Sequence, residues 1–215
     1  MSINLPNSFV VSATTAVFDE PEAVDFRSFA QHGLPVALVE QLQARRFLVT
    51  TARVTSQVSG EQSIDFVETL FKVPVRLNGR DFLFPVVTYV DHPYSLIRGY
   101  LLGFNKLFAP RTADPGILTA PGLEVDLRSR TDELTVAELL PPEQELPMLL
   151  WTDYSVGDAR SHGLATLDVD AYERQGVRSL EARTTSQLIG GRNVTVRRLY
   201  EIRDTFVIRG TIPLA

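Results

Sequence analysis

Of the 21 basic residues in this chain, only Lys72 and Lys106 are lysines and the rest are arginines. An arginine stays protonated inside a protein, whereas a desolvated lysine can lose its proton and attack a carbonyl carbon. Two positions can therefore do amine chemistry. Lys106 is the single amine in the run from Tyr100 to Pro110, among Leu101, Leu102, Phe104, Leu107 and Phe108. If its head is enclosed there, lost hydration disfavours the ammonium form. If only its stem packs there, the head snorkels to water and the residue is structural.

Other chemistries lack their residues. The chain has no cysteine, which removes disulfides, thiolate ligation and cysteine nucleophiles. His32, His92 and His162 are scattered without ligand spacing, so no metal is expected. Phosphate-binding and dinucleotide glycine motifs, His-Glu-x-x-His and Gly-x-Ser-x-Gly are all absent, and no cofactor is expected.

The elements that must position these residues read as mainly β (α+β). Glu20 to Arg46 carries helical spacing at Leu34, Leu38, Val39 and Leu42, which predicts two short helices. Phe47 to Val54 reads as the first strand. Val73 to Leu77, Asn78-Gly79 and Asp81 to Val90 form a hairpin pattern, because Asn-Gly supplies the positive φ angles of a two-residue turn. A second hairpin is expected to turn at Gly190-Gly191, joining Ser179–Ile189 to Asn193–Ile202, with a last strand over Thr205–Ile212. Pro-rich connections run from Ala109 to Gly116 and from Pro141 to Pro147, and Val169 to Gln175 reads as a short helix. A single domain over residues 1–215 is expected.

Residues 66 to 110 resemble the acetoacetate decarboxylase family in the order and spacing of four segments. Phe66-Val-Glu-Thr69 is similar to a family segment with a central glutamate. Val73 to Gly79 resembles its Val/Ile-Pro hairpin, Tyr89-Val-Asp91 its Tyr-Leu-Asp strand, and Gly103-Phe-Asn-Lys106 its lysine-bearing turn. The resemblance implies an antiparallel sheet closed into a cone-like barrel with a few flanking helices, and a homo-oligomer. It also implies a lyase in which Lys106 forms a Schiff base with a keto acid, with Glu68 as the second catalytic residue. The chain departs from the pattern at Leu107, where the family has a second lysine, and at Asn105, where it has proline. Arg98-Gly99-Tyr100 replaces a Gly-Arg-Glu, with one residue fewer after Asp91. Arg98, Tyr100, Asn105, Tyr89 and Phe104 are the candidates for binding substrate.

Three readings follow: condensation of Lys106 with a keto acid or related carbonyl compound, leading to decarboxylation, aldol-type condensation or dehydration; cyclisation or isomerisation of a polyketide-like intermediate of secondary metabolism without an imine; and small-molecule binding without turnover. A net charge of −5 and a pI near 5.3 argue against a nucleic-acid partner. No run is long enough to cross a bilayer as a helix and Met1 to Pro6 has no signal-peptide character, so a cytoplasmic location without membrane attachment is expected.

Overall fold

The computed structural model describes residues 5–58, 63–109, 117–120, 123–126, 142–156, 159–180, 186–189 and 192–214. Its first strand is one the sequence reading missed. β1 (Asn7–Asp25) is rich in β-branched and aromatic residues from Phe9 to Phe18, but the two-residue alternation of its first half is lost at Thr15 to Phe18, which are all buried. β1 runs through the part of the predicted helical region from Glu20 to Asp25. Only a 3-10 turn (Arg27–Phe29), α1 (Val36–Val39) and a second 3-10 turn (Glu40–Leu42) remain of that prediction.

The remaining strands are β2 (Gln43–Val58), β3 (Ile64–Leu77), β4 (Arg80–Val90), β5 (Lys106–Phe108), β6 (Ile117–Ala120), β7 (Leu123–Asp126), β8 (Leu149–Val156), β9 (Ala159–Leu180), β10 (Ser186–Ile189) and β11 (Arg192–Pro213). One helix, α2 (Pro93–Leu101), links β4 to β5. The main sheet has the order β5-β4-β3-β2-β1-β11-β9-β8, with β10 also paired to β11, and β6 and β7 form a separate hairpin. All pairs are antiparallel except β4 with β5.

The β3–β4 hairpin turns as expected, with Asn78 at φ 49° and Gly79 at φ 78°. β10 and β11 pair from Ile189–Arg192 outward, while Gly190 and Gly191 lie outside the described residues, as does most of the Ala109–Gly116 connection. The expected last strand is the continuation of β11. Val169–Gln175 is a correction: it lies within β9, where Ala171 takes φ 48° and register shifts opposite Asp204 to Gly210 break the regular alternation.

The sheet curls until its ends meet. Leu83 of β4 forms a parallel bridge to Met148, just before β8, and its N–H donates to Pro147 O at 3.0 Å. This gives two faces. The outer face carries the larger apolar core, in which Phe18, Phe47, Phe84 and Trp151 meet Phe26, Leu34, Leu38 and Leu42 from the connection between β1 and β2. The inner face carries two smaller clusters, one around Phe9, Phe66 and Leu102 and one around Val17, Leu48 and Tyr200. No helix among the described residues is long and apolar enough to span a membrane.

Candidate active site

The site is set by how α2 starts and stops. Pro93 occupies the first turn, where its missing N–H costs nothing, and His92 Nδ1 accepts from Tyr94 N at 3.2 Å. Just past the C-cap Leu102 stands Gly103, whose φ of 95° suits glycine and whose tight packing excludes a side chain. A Cβ there would lie 2.9 Å from Thr152 Cγ2 and 3.1 Å from Trp151 O. The turn then locks onto the sheet. Asn105 Nδ2 donates to Phe29 O at 2.9 Å and Val86 O at 3.0 Å, and Asn105 O accepts from Thr88 N at 2.8 Å. Lys106 is thereby fixed opposite Thr88 at the start of β5.

From there its side chain runs along the inner face beneath α2. Lys106 Nζ donates to Glu68 Oε2 at 2.8 Å and to Ser95 Oγ at 3.1 Å. The rings of Phe66 and Phe104 each stand 5.6 Å from it. The pair is largely withdrawn from water, with side-chain exposures of 7% for Lys106 and 18% for Glu68. Arg98 is buried on the same side of α2. Its Nη1 donates to Ser56 Oγ at 2.9 Å and its guanidinium lies 5.0 Å from the Phe9 ring and 6.0 Å from Phe66. Burial pulls its pKa below the ordinary arginine value, opposed by Tyr94 and Glu68.

Strand register extends a polar row across this face. Lys106 lies opposite Thr88, Thr88 opposite Leu70, Leu70 opposite Thr50, Thr50 opposite Thr15 and Thr15 opposite Tyr200. Thr15 and Thr50 share a hydrogen bond of 2.7 Å. Thr88 Oγ1 and Tyr200 OH, both buried, have no partner among the described residues. A buried hydroxyl left unpaired costs about 1–3 kcal/mol. Burial pushes the Tyr200 hydroxyl well above the usual phenol range.

Lys72 faces the same interior, two residues beyond Leu70 on β3. It is 3% exposed and its Nζ donates to Gln144 Oε1 at 3.3 Å. Desolvation lowers its pKa to about 7, against the opposing field of Glu68. Gln144 belongs to a 3-10 turn (Pro142–Glu145) held on both sides of it, Glu143 by Arg46 at 2.9 Å and Glu145 by Arg174 at 3.5 Å.

The structure therefore brings Lys106, Glu68, Arg98 and Phe104 together. It places the other candidates elsewhere. Tyr89 is buried in the outer-face core, edge-on to Phe71. Asn105 spends its amide on two backbone carbonyls, and Tyr100 is half exposed with its hydroxyl on Asp153 O at 3.2 Å. Ser95, Gly99 and the placement of Lys72 were missed. The spacing of Glu68 and Lys72, an even number of residues apart in one strand, was the available signal. A groove of about 460 Å3 is lined by Ser12, Arg53, Asp65 and Val67 and reaches Phe66, whose ring also borders Lys106. Among the described residues no group of three or more His, Asp or Glu is placed to hold a metal ion.

No family model matches the chain, and no curated protein does. Solved structures do. The enduracididine biosynthesis enzyme MppR, in complex with pyruvate, superposes with a TM-score of 0.69 at 16% identity, covering 100% of this chain and 92% of its own. An acetoacetate decarboxylase-like enzyme from Sphingomonas wittichii RW1 gives 0.67 at 15% identity, covering 99% and 94%. Acetoacetate decarboxylase from Legionella pneumophila gives 0.60 at 13% identity, covering 98% and 88%. The chain has the acetoacetate decarboxylase-like fold.

Proposed function

We propose that the chain is a Schiff-base-forming enzyme of the lyase type, acting on a keto acid or related carbonyl compound through Lys106. The observation that carries this is the enclosed contact of Lys106 Nζ with Glu68 Oε2 at 2.8 Å. A buried ion pair is a poor source of stability compared with apolar residues of the same volume, so its chemistry is the better reason for its presence. The pyruvate held by one neighbour of the same fold is itself a keto acid.

The steps use groups already in place. Glu68 takes a proton from the Lys106 ammonium, and the free amine adds to the substrate carbonyl carbon to give a carbinolamine. Glu68 returns the proton to the carbinolamine hydroxyl, which leaves as water, and the nitrogen lone pair closes the C=N bond of an iminium. That cation accepts the electron pair of a breaking C–C or C–H bond, giving an enamine. Protonation of the enamine and hydrolysis restore Lys106 and release product. Ser95 Oγ holds the amine in line with the carboxylate, and Arg98 adds fixed positive charge on the same side of the interior. Borohydride reduction in the presence of pyruvate, followed by peptide mass spectrometry, tests the reading. It requires a reduced adduct on Lys106, and an unmodified Lys106 across a panel of keto acids and ketones overturns it.

One observation supports a second reading. Leu107, 47% exposed, supplies no charge beside Lys106, and the ammonium rests in its ion pair. In that state Lys106 is a fixed cation and Glu68 a base, a pairing suited to isomerisation or cyclisation of an intermediate without an imine.

A further inference from the structure

The second lysine has not entered this chemistry. Lys72 and Glu68 stand four residues apart on β3 and point to the same side, since strand side chains alternate. The register confirms the shared side: Glu68 pairs with Ala52 and Lys72 with Leu48, both on the inner face. Between them, level with the backbone of Lys106, lie Leu70 and the buried, unpartnered Thr88 Oγ1. A strand rises by about 3.3 Å per residue, so the backbone positions of Glu68 and Lys72 are roughly 13 Å apart. The inner face thus carries two amines, with a hydroxyl that has no partner among the described residues at the level between them.

The two amines differ in their partners. Lys106 has a carboxylate at 2.8 Å, whereas no carboxylate oxygen among the described residues lies within 4 Å of Lys72 Nζ, and its hydrogen bond to Gln144 is long. Leu48 and Pro85, its neighbours across β2 and β4, are apolar. Of the charged groups packed around it, Glu68 is committed to Lys106, Glu143 to Arg46 and Glu145 to Arg174. A buried amine without a counter-ion is ready to take an anion from outside the chain.

We propose that Lys72 is the anion subsite of the interior, so that the substrate is an oxo acid whose carbonyl reaches Lys106 while a carboxylate several bonds away pairs with Lys72. This rests on the proposed function for its carbonyl end only. Binding brings a proton with it: the amine, mostly neutral at pH 8, takes one up from solvent to pair with the carboxylate. The carboxylate is bound and not broken at this end, so no further bond change is involved.

Two measurements test it. The first is borohydride trapping at Lys106 with matched probes, 2-heptanone against 6-oxoheptanoate and 2-nonanone against 8-oxononanoate. The native chain should favour the oxo acid of fitting length, and Lys72→Met should cut that preference at least tenfold. An equal preference in both proteins overturns the subsite. The second needs neither an adduct nor the variant: calorimetric titration of the native chain with heptanoate and nonanoate at pH 8, in two buffers of different ionisation enthalpy. Uptake approaching one proton per carboxylate supports the subsite, and binding without uptake, or no binding, overturns it. Loss of all trapping with the carboxylate titration intact overturns the imine reading and leaves the anion subsite standing.

Discussion

A methyl group on Gly99 would lie 2.2 Å from Cε and 2.9 Å from Nζ of Lys106. The helix that roofs the site therefore leaves room for the lysine only because it lacks a side chain at this one position. Alanine is the better helix residue by about 1 kcal/mol, which offsets only part of the roughly 3–5 kcal/mol lost when a buried ion pair is parted. Gly99→Ala drives Lys106 away from Glu68. Expected is at least a hundredfold fall in the rate of borohydride trapping with pyruvate, with an unchanged circular dichroism spectrum and a Tm lowered by the parting of the ion pair. Trapping at the native rate would show that Lys106 can reach substrate by another path.

Glu68→Gln keeps the shape and a hydrogen-bond acceptor but removes the base. Exchange of the pyruvate methyl protons for deuterium reports enamine formation without requiring knowledge of the natural substrate. General acid–base groups contribute roughly a hundredfold to ten-thousandfold, and exchange should slow by that order in the variant. Ser95→Ala, which leaves the carboxylate in place, should cost far less. Equal rates in Glu68→Gln and the native chain would remove Glu68 from the proton transfers.

How much of this was legible in the sequence divides by range. The β3–β4 hairpin was, because Asn78-Gly79 dictates its own turn and fixes the register of both strands locally. β1 was not: four successive residues, Thr15 to Phe18, are buried, it ends in an acidic, Pro-containing stretch, and it owes its extended form to β2 and β11 on either side. The same dependence misled the reading of Val169–Gln175, where Tyr172 and Arg174 hydrogen-bond to Asp204 on the neighbouring strand and not within a helical turn. The Lys106–Glu68 contact joins residues 38 apart through the order β3-β4-β5. Family resemblance put the two residues in one site, which spacing alone could not. Lys72 stood out by type, and its even spacing from Glu68 within one strand was the sign of which side it faced.

Arg98 makes contacts with three ring faces and a buried hydroxyl. Arg98→Ala leaves Ser56 without its buried partner and opens space between Phe9, Phe66 and Tyr94. Loss of the cation–π contacts and of the hydrogen bond should destabilise the fold by about 2–4 kcal/mol. Urea unfolding of both proteins measures it, and a change below about 0.5 kcal/mol would mean that the side chain relaxes freely.

Lys72 carries a stability cost with a defined pH window. Its pKa falls from 10.5 to about 7 on folding. Below pH 7 both states hold the proton and the full penalty of burying the charge is present. Between pH 7 and 10.5 the unfolded chain binds a proton that the folded chain does not, so stability rises with pH. Lys72→Met removes this contribution. The variant should exceed the native chain by up to about 5 kcal/mol near pH 6, and the gap should close as pH approaches 10.5. Parallel stability profiles across that range would show that the folded-state amine titrates at its ordinary value.

Replacing Lys106 itself separates the two chemical readings, and the choice of replacement matters. Lys106→Met fills the path between Phe66 and Phe104 but removes both amine and charge, leaving Glu68 buried without a partner. Lys106→Arg keeps a cation beside Glu68 yet cannot form an imine, because the guanidinium does not deprotonate. If Lys106 is a nucleophile, pyruvate exchange is lost equally in both variants, at least a thousandfold below the native rate. If it is a fixed cation serving Glu68 as base, the arginine variant retains a measurable fraction of the exchange that the methionine variant lacks. Measuring the two side by side, with Tm recorded to confirm that each is folded, assigns the role of the amine.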